Sequence, residues 1–338
     1  MGHRHRETID DFTGGYNCRD SDTHLQKSES PDMKNVVPGK RGGMEPRPGF
    51  AKVSPNPVSS ETLPDGSHPP VTTIWEHVAP GGMRMLMAFS GRELRTMNHQ
   101  GEWRTVLGML SFNSRLEFVA HPILQKSLFV NGANGYYETD GRFAKQVDPY
   151  QPTEDDLTDI GECVFPNMPK YITYFSNRVW LAGEIGRRGR VYFNVDDMLG
   201  NSRYNYFTAW SWIGIPTVKG EEVTALMPFH DTLYVFTNTT MRSIKNAEPV
   251  IIGDYIPPSF RMDLVSNSAG AVSQRSVQLV GDKLIFMGID GVYMYDGQGS
   301  PYKVSQRVDP DIVRVDRQHW EFACGSVWEK KYLLSAAV

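Results

Sequence analysis

From Val71 onward, the chain alternates short apolar runs with polar turn residues. The runs are four to seven residues long, and Gly, Asn, Asp and Pro separate them. Apolar residues almost never keep the i, i+3, i+4, i+7 spacing of an amphipathic helix over three turns. This pattern predicts an all-β body of short strands, with long loops over residues 148–169 and 246–270, where the strand pattern is weakest.

One apolar run recurs at an interval of about fifty residues. The first apolar positions of four copies, each preceded by a polar pair, are Leu128, Val179, Leu233 and Leu284. Their spacings are 51, 54 and 51 residues. A similar run occurs earlier at residues 85–87 and later at residues 332–334. Most copies also have an upstream strand, so the repeating unit contains several strands.

A second motif repeats with the same period. The pattern G-x-Y-x-x-D-G occupies residues 135–141 and 291–297, an offset of 156 residues, and the same offset separates Leu128 from Leu284. It equals three periods of 52 residues. Repeats of about 40–50 residues with three or four strands are typical of β-propeller blades, which bury both faces only by stacking on neighbours. We therefore predict a β-propeller-like body; a pair of large β-sandwiches is the alternative.

The last copy of the run, residues 332–338, reads as an unfinished strand. Either the N-terminal region supplies the missing strands and closes the ring, or the chain is a fragment of a longer protein; the second reading is the expectation. The sequence predicts an N-terminal arm or cap over residues 1–53, a connector rich in Pro and Ser over 54–70, and the propeller-like body over 71–338.

Composition limits the classes of function. The chain of 338 residues carries 35 basic and 39 acidic side chains, a net charge of −4, which argues against binding nucleic acid by charge alone. No apolar run approaches the ~20 residues of a spanning helix, and no secretory signal is visible. Cys18, Cys163 and Cys324 lie far apart without a pairing motif, which predicts free thiols in a reducing compartment.

Motifs of catalysis and metal binding are missing from the sequence. It contains no HExxH, GxSxG or P-loop pattern, and its nine His residues do not cluster with acids or Cys at metal-ligand spacing. The adjacent acids Asp155-Asp156 and Asp196-Asp197 are predicted to be solvated loop acids or helix caps, since a glycosidase needs two carboxylates that face each other. We expect no catalytic residue, cofactor or metal.

Two segments are candidates for contact with a partner. Arg187, Arg188 and Arg190 form the densest basic cluster, in a predicted hairpin loop. Trp210 and Trp212 end an aromatic stretch that starts at residue 204. Aromatic and Arg side chains are enriched at protein interfaces, although a solvated loop and core packing account for the same residues.

The N-terminal segment resembles tailed-bacteriophage virion proteins of the tail, neck or nozzle class. Three patterns in order carry this resemblance: DFxGGxN at residues 11–17, ESPDxxNV at 29–36, and Gly42-Gly43 followed by RPGF at 47–50. The predicted assembly-arm residues are Phe12, Gly14, Gly15, Asn17, Pro31, Asp32, Asn35, Arg47, Pro48, Gly49 and Phe50. A second similarity is the GR-hydrophobic-Tyr segment at residues 189–194, with Trp210 or Trp212 downstream.

The arm is expected either to tie the propeller to a neighbour or to close its own ring; a self-packed cap is the alternative. Pro31 suits the first position of a helix, so a short helix over residues 31–36 is predicted.

The resemblance implies a non-enzymatic ring protein of the virion, made in the host cytoplasm. By analogy with the family, the ring is a hexamer that contacts other tail, portal-adaptor or fibre proteins and lets DNA pass without binding it specifically. Neither a membrane nor a cofactor is expected. The alternatives are a receptor- or fibre-binding propeller module and, less favoured, a propeller glycosidase.

Overall fold

A computed structural model describes residues 11–21, 23–38, 43–47, 49, 51–195, 203–217, 220–246 and 259–337. The N-terminal segment holds four short strands. These are β1 (Gly15–Tyr16), β2 (Glu29–Ser30), β3 (Val36–Pro38) and β4 (Met44–Pro46). β1 pairs with β2 in parallel, and β3 pairs with β4 antiparallel.

Five antiparallel sheets of four strands follow, and each has its strands in chain order. The first sheet contains β5 (Val71–Val78), β6 (Arg84–Ser90), β7 (Glu93–Met97) and β8 (Trp103–Leu107). The second contains β9 (Glu117–His121), β10 (Lys126–Val130), β11 (Tyr136–Thr139) and β12 (Ala144–Gln146). The third contains β13 (Tyr171–Phe175), β14 (Arg178–Ala182), β15 (Arg190–Phe193) and β16 (Trp212–Gly214). The fourth contains β17 (Val223–Phe229), β18 (Thr232–Thr237), β19 (Met241–Asn246) and β20 (Phe260–Ser266). The fifth contains β21 (Gln278–Val280), β22 (Lys283–Met287), β23 (Val292–Tyr295) and β24 (Tyr302–Lys303).

The predicted all-β, propeller-like fold is confirmed. The recurring apolar runs are the second strands of the sheets, β6, β10, β14, β18 and β22, and the G-x-Y-x-x-D-G copies contain the third strands β11 and β23. Every residue of β14 and β18 is buried. A strand covered on both faces is apolar without alternation, which explains the signal in the sequence.

The apolar core lies between neighbouring sheets. One cluster joins the first two sheets through Phe89 and Phe129, and another joins the third and fourth through Trp180 and Val235. The first strands β5, β9, β13 and β17 contact one another in succession. Each of these sheets therefore buries its faces against the next one, as the repeat predicts.

Both predicted long loops contain a regular element. Within residues 148–169, the helix α1 (Glu154–Asp159) starts at a capping box in which Thr153 and Asp156 satisfy each other's backbone amides. The region 246–270 includes β20, which pairs with β19 across a β-bulge at Met241 and Arg242. The loop predictions were wrong at these places because a one-turn cap and a bulged outer strand leave little periodicity. Asp156 is a cap as expected, while Asp196-Asp197 lies outside the described residues.

The predicted helix over residues 31–36 is absent. Residues 31–35 are irregular, Asn35 has a positive φ of 56°, and β3 begins at Val36. The left-handed conformation of Asn35 turns the chain into β3 instead of continuing a helix.

After the fifth sheet, the chain forms α2 (Asp309–Val313) and a two-stranded sheet of β25 (Cys324–Trp328) and β26 (Lys331–Ser335). Residues 51–70 form no regular element, as the Pro-rich composition predicts. None of the described helices has the length and apolar character needed to cross a membrane.

Contacts divide the chain into two compact units. One comprises Met1–Lys52 with Arg275–Val338, and the other comprises Val53–Gln274. The predicted division into arm, connector and body stays a prediction.

Candidate functional site

The first candidate surface is the N-terminal segment, where two of the resembling patterns hydrogen-bond to each other. The Gly14 amide donates to the Ser28 carbonyl at 3.0 Å, and the Asn17 amide donates to the Ser30 carbonyl at 2.9 Å. The buried Asn17 side chain donates to Glu29 Oε2 at 3.0 Å. Residues 11–17 and 29–36 are therefore two halves of one small folded element around β1 and β2.

Gly14 is needed for this close approach. A Cβ at Gly14 would lie 2.7 Å from Glu29 Cγ and 2.8 Å from the Ser28 carbonyl oxygen. The second contact is with backbone, which cannot move aside as a side chain can. The close packing of the backbone thus explains why the first glycine of the GG pair is a glycine.

Arg307 attaches this element to the C-terminal part of the same unit. Its Nη1 lies 3.1 Å from Glu29 Oε1 and donates to the Gly14 carbonyl at 2.8 Å. The Cys18 amide donates to the Arg307 carbonyl at 3.0 Å. The Asn17 side chain, the Gln26 amide and Arg307 together lower the pKa of Glu29, so this carboxylate is charged at neutral pH. Tyr16 completes the contact by donating to Asp311 Oδ2 at 2.7 Å.

The remaining arm residues are more open. Phe12 accepts a hydrogen bond from Gly15 through its carbonyl, while Pro31, Asp32, Asn35, Arg47 and Gly49 are exposed. The Arg47 amide donates to the Asn35 carbonyl at 2.8 Å and so closes the β3–β4 hairpin. Pro48 and Phe50 lie outside the described residues. The segment is thus fixed to its own chain through residues 14–29, and its surface around residues 31–35 is open.

The second candidate surface is a cavity of ≈ 220 Å³ beside β15 and β16. Because strand side chains alternate, Arg190 and Tyr192 lie on one face of β15, and the pairing of Tyr192 with Trp212 brings the indole to the same face. The Arg190 guanidinium carbon lies 3.8 Å from the centre of the Trp212 ring, a cation–π contact. The structure therefore brings together Arg187, Arg190 and Trp212 in the lining of one cavity.

A buried carboxylate lies in the same cavity. Glu184 is 5 % exposed; its Oε1 accepts from the Asn167 amide at 3.0 Å, and its Oε2 accepts from the Tyr192 hydroxyl. Arg187 Nη1 lies 3.9 Å from Glu184 Oε2. Burial and the Glu184 carboxylate raise the pKa of Tyr192, and the Arg187 and Arg190 guanidiniums act in the opposite direction. Tyr192 is therefore a neutral donor that holds Glu184 in place.

The other two candidate residues of this region point to different partners. Arg188 Nη1 lies 3.5 Å from Glu222 Oε2, and Trp210 donates from its indole to the Ile160 carbonyl at 2.9 Å. Neither lines the cavity. Glu184 was not predicted from the sequence, and Tyr192 was noted only as the Tyr of the GR-hydrophobic-Tyr segment. The signal for its place in the site is its spacing of two residues from Arg190, which puts both side chains on one strand face.

A third polar cluster joins the first two sheets. His77 Nδ1 lies 2.8 Å from Ser127 Oγ, and the Trp75 indole donates to the same oxygen at 2.9 Å. Both His77 and Ser127 are buried, so this serine hydroxyl serves packing between the sheets. In the described part of the chain, no group of three or more His, Cys, Asp or Glu side chains is arranged to hold a metal ion. The three cysteines are free thiols, as predicted.

Comparison with known proteins finds similarity only among solved structures. No family model matches the chain, and no curated protein matches it. Among solved structures, an inactive variant of virginiamycin B lyase from Staphylococcus aureus, with quinupristin, is 11% identical with a TM-score of 0.47 and covers 81% of this chain and 79% of its own. YCF48 from Cyanidioschyzon merolae is 11% identical with a TM-score of 0.43, covering 75% of this chain and 77% of its own. The Pan2 WD40 domain of Neurospora crassa is 10% identical, with a TM-score of 0.37, and covers 68% of this chain and 62% of its own.

Proposed function

We propose that this protein is a structural component of a tailed-bacteriophage virion. In this proposal, copies form a ring in the tail, neck or nozzle, the ring is part of the conduit for DNA ejection, and it docks neighbouring tail proteins. The sixfold symmetry is taken from the resemblance. The protein acts there as a scaffold without a catalytic centre.

The observation that carries the proposal is the paired arrangement of the resembling motifs. Gly14, Asn17 and Glu29 come from two separate patterns, and they hydrogen-bond or pack against one another. Residues whose identity matters for one small folded element are expected to recur together among proteins that use that element. The resemblance therefore concerns residues that form one structural unit and not isolated positions of the sequence.

The charge balance is consistent with a passage for DNA. The chain has a net charge of −4, and two of the three arginines of the basic cluster are offset by acids, Arg187 by Glu184 and Arg188 by Glu222. Tight DNA binding needs many uncompensated Lys and Arg side chains. A wall without them lets DNA slide past.

The cavity beside Trp212 favours one alternative, a receptor- or fibre-binding propeller module of the tail. Ligand pockets are typically lined by aromatic and apolar side chains with a few polar or charged groups, and Trp is enriched at interfaces. Such a module would sit at the periphery of the tail instead of at its axis.

Two measurements separate these functions. Native mass spectrometry of the purified protein gives the number of copies in the assembly, and cryo-electron microscopy of particles with a labelled copy gives its position. A sixfold ring next to the portal or along the tail axis is expected. A peripheral trimer would support receptor binding, and absence from purified particles would refute the virion role.

A further inference from the structure

We propose that the cavity beside β15 and β16 binds an acidic side chain, Asp or Glu, of a neighbouring protein. Arg190 is the group that contacts the incoming carboxylate. Among the described residues, Arg187 and Arg188 each have a carboxylate within ion-pair distance, and Arg190 has none. Its guanidinium lies on the Trp212 ring and also hydrogen-bonds to the Tyr192 side chain, and because a guanidinium has five N–H donors, others remain for an incoming carboxylate.

The charged side chains that line the cavity leave one positive charge unbalanced. The lining carries two guanidinium groups, of Arg187 and Arg190, and one carboxylate, Glu184. Glu184 is anchored by the Asn167 amide and the Tyr192 hydroxyl, so it cannot swing over to neutralise Arg190. Its nearest cationic partner is Arg187 at 3.9 Å. One carboxylate from outside balances the site.

The size and walls of the cavity suit a single side chain. Its volume is ≈ 220 Å³, and the apolar residues Val164, Phe165 and Pro166 line it together with Trp212. An acidic side chain can place its methylene groups against these walls and its carboxylate against the Arg190 guanidinium, in the two-bond geometry that Arg favours. The Trp212 indole is itself held, since its Nε1 donates to the Ala209 carbonyl at 3.0 Å.

A nucleic-acid phosphate fits less well. A DNA backbone presents a row of phosphates, and binding it requires several uncompensated cations. The flanking arginines are already offset by Glu184 and Glu222, and these acids would repel the adjoining phosphates. An isolated carboxylate on a protein surface avoids this repulsion.

The inference takes the docking role proposed above as its context, but binding is tested on the isolated full chain. The probe is a fluorescein-labelled peptide of six Glu residues, with the matching six-Gln peptide and a short DNA duplex as comparisons, measured by fluorescence anisotropy. We expect the Glu peptide to bind and the Gln peptide not to bind. Arg190→Ala weakens Glu-peptide binding by roughly tenfold or more, since hydrogen bonds to charged groups are the stronger ones.

Arg104→Ala is the matched control, because it removes the same charge from an exposed strand position of the first sheet. It is expected to change binding by less than about twofold. A second readout needs no substitution of Arg190: the indole N–H signal of Trp212, assigned in an NMR spectrum with Trp212→Phe, should shift as the Glu peptide is added.

Equal effects of Arg190→Ala and Arg104→Ala, an unmoved Trp212 signal at saturating Glu peptide, or stronger Arg190-dependent binding of the DNA duplex would overturn the inference. If the protein forms a ring in the virion but does not bind the Glu peptide, the proposed binding role of this cavity is refuted and the proposed function is not. Glu-peptide binding without a place in the virion refutes the proposed function alone.

Discussion

Glu29 and Arg307 form an ion pair of 3.1 Å that joins the N-terminal segment to the turn before α2. The same guanidinium donates to the Gly14 carbonyl, so one side chain contacts both halves of the resembling motif. Arg307 is therefore the centre of the polar contacts that hold the segment, and the Tyr16–Asp311 hydrogen bond lies beside it.

Replacing this residue should release the segment. In Arg307→Ala, we expect the Gly14 and Asn17 amides to exchange with deuterium at least about tenfold faster, because the β1–β2 pairing loses its anchor. Hydrogen exchange with mass spectrometry checks this. Arg314→Ala, which removes an exposed Arg that pairs locally with Asp311, is the control. Equal protection in both variants would contradict the anchoring role.

The open surface at residues 31–35 offers a separate test of the arm hypothesis. Asp32 is exposed, and its ion pair with Lys34 is at 3.8 Å between two exposed side chains. Asp32→Arg is expected to leave the thermal unfolding temperature unchanged and to reduce ring formation, because charge reversal disturbs a contact without touching the fold. Sedimentation velocity measures the assembly. An unchanged ring would favour the self-packed cap.

Acid should weaken the packing of the second sheet through His121. Burial lowers the pKa of this imidazole to about 4, from an ordinary value of 6.5 in the unfolded chain. The unfolded state then binds more protons between these values, so the contribution of neutral His121 is present above pH 6.5 and is lost as the pH falls towards 4. The full loss is about 3 kcal/mol at most.

We expect His121→Asn, which keeps an acceptor for the Leu124 amide, to flatten the loss of stability between pH 6.5 and pH 4. Urea unfolding at a series of pH values measures it. The control is His99→Asn at an exposed turn. If both variants follow the wild-type pH curve, His121 does not titrate as described.

The burial of the second strands predicts unequal costs for two Phe residues. Phe236 in β18 is 0% exposed, and Phe143 in the β11–β12 turn is 75% exposed. Phe236→Ala should lower the free energy of unfolding by about 3–5 kcal/mol because it leaves a cavity in the core. Phe143→Ala should change it by no more than about 0.5 kcal/mol. Chemical denaturation of both variants compares them, and similar costs would contradict the placement of the core.

Periodicity in the sequence predicted the inner strands well and the outer elements poorly. Runs such as Leu233–Phe236 are apolar because both faces of the strand are covered, so a buried inner strand can be recognised as an uninterrupted apolar run. β20 and α1 lie at the edge of the fold, where partial exposure and a bulge or short cap leave no regular pattern. The helix over residues 31–36 failed because Asn35 takes a left-handed conformation that local propensity does not reveal.

The candidate cavity shows the same limit. Arg190 and Trp212 were visible as chemically rich residues, but their contact depends on the register of β15 against β16. Glu184 could not be predicted as a site residue, because a single acid in a loop is usually solvated. Its role depends on hydrogen bonds from Asn167 and Tyr192 that form only in the fold. Pairings between distant residues decide such a site, and a single sequence does not record them.

The contact between Arg307 and residues 14–29 also sets an order of events during synthesis. The ribosome makes the glycine-containing segment before the five four-stranded sheets and its anchor, Arg307, after them, so the segment remains unattached while the strands of these sheets are synthesised. Until residue 307 emerges, the Glu29 carboxylate and the Gly14 carbonyl have no cation to bind. Docking of this segment therefore requires that all five four-stranded sheets have already been synthesised.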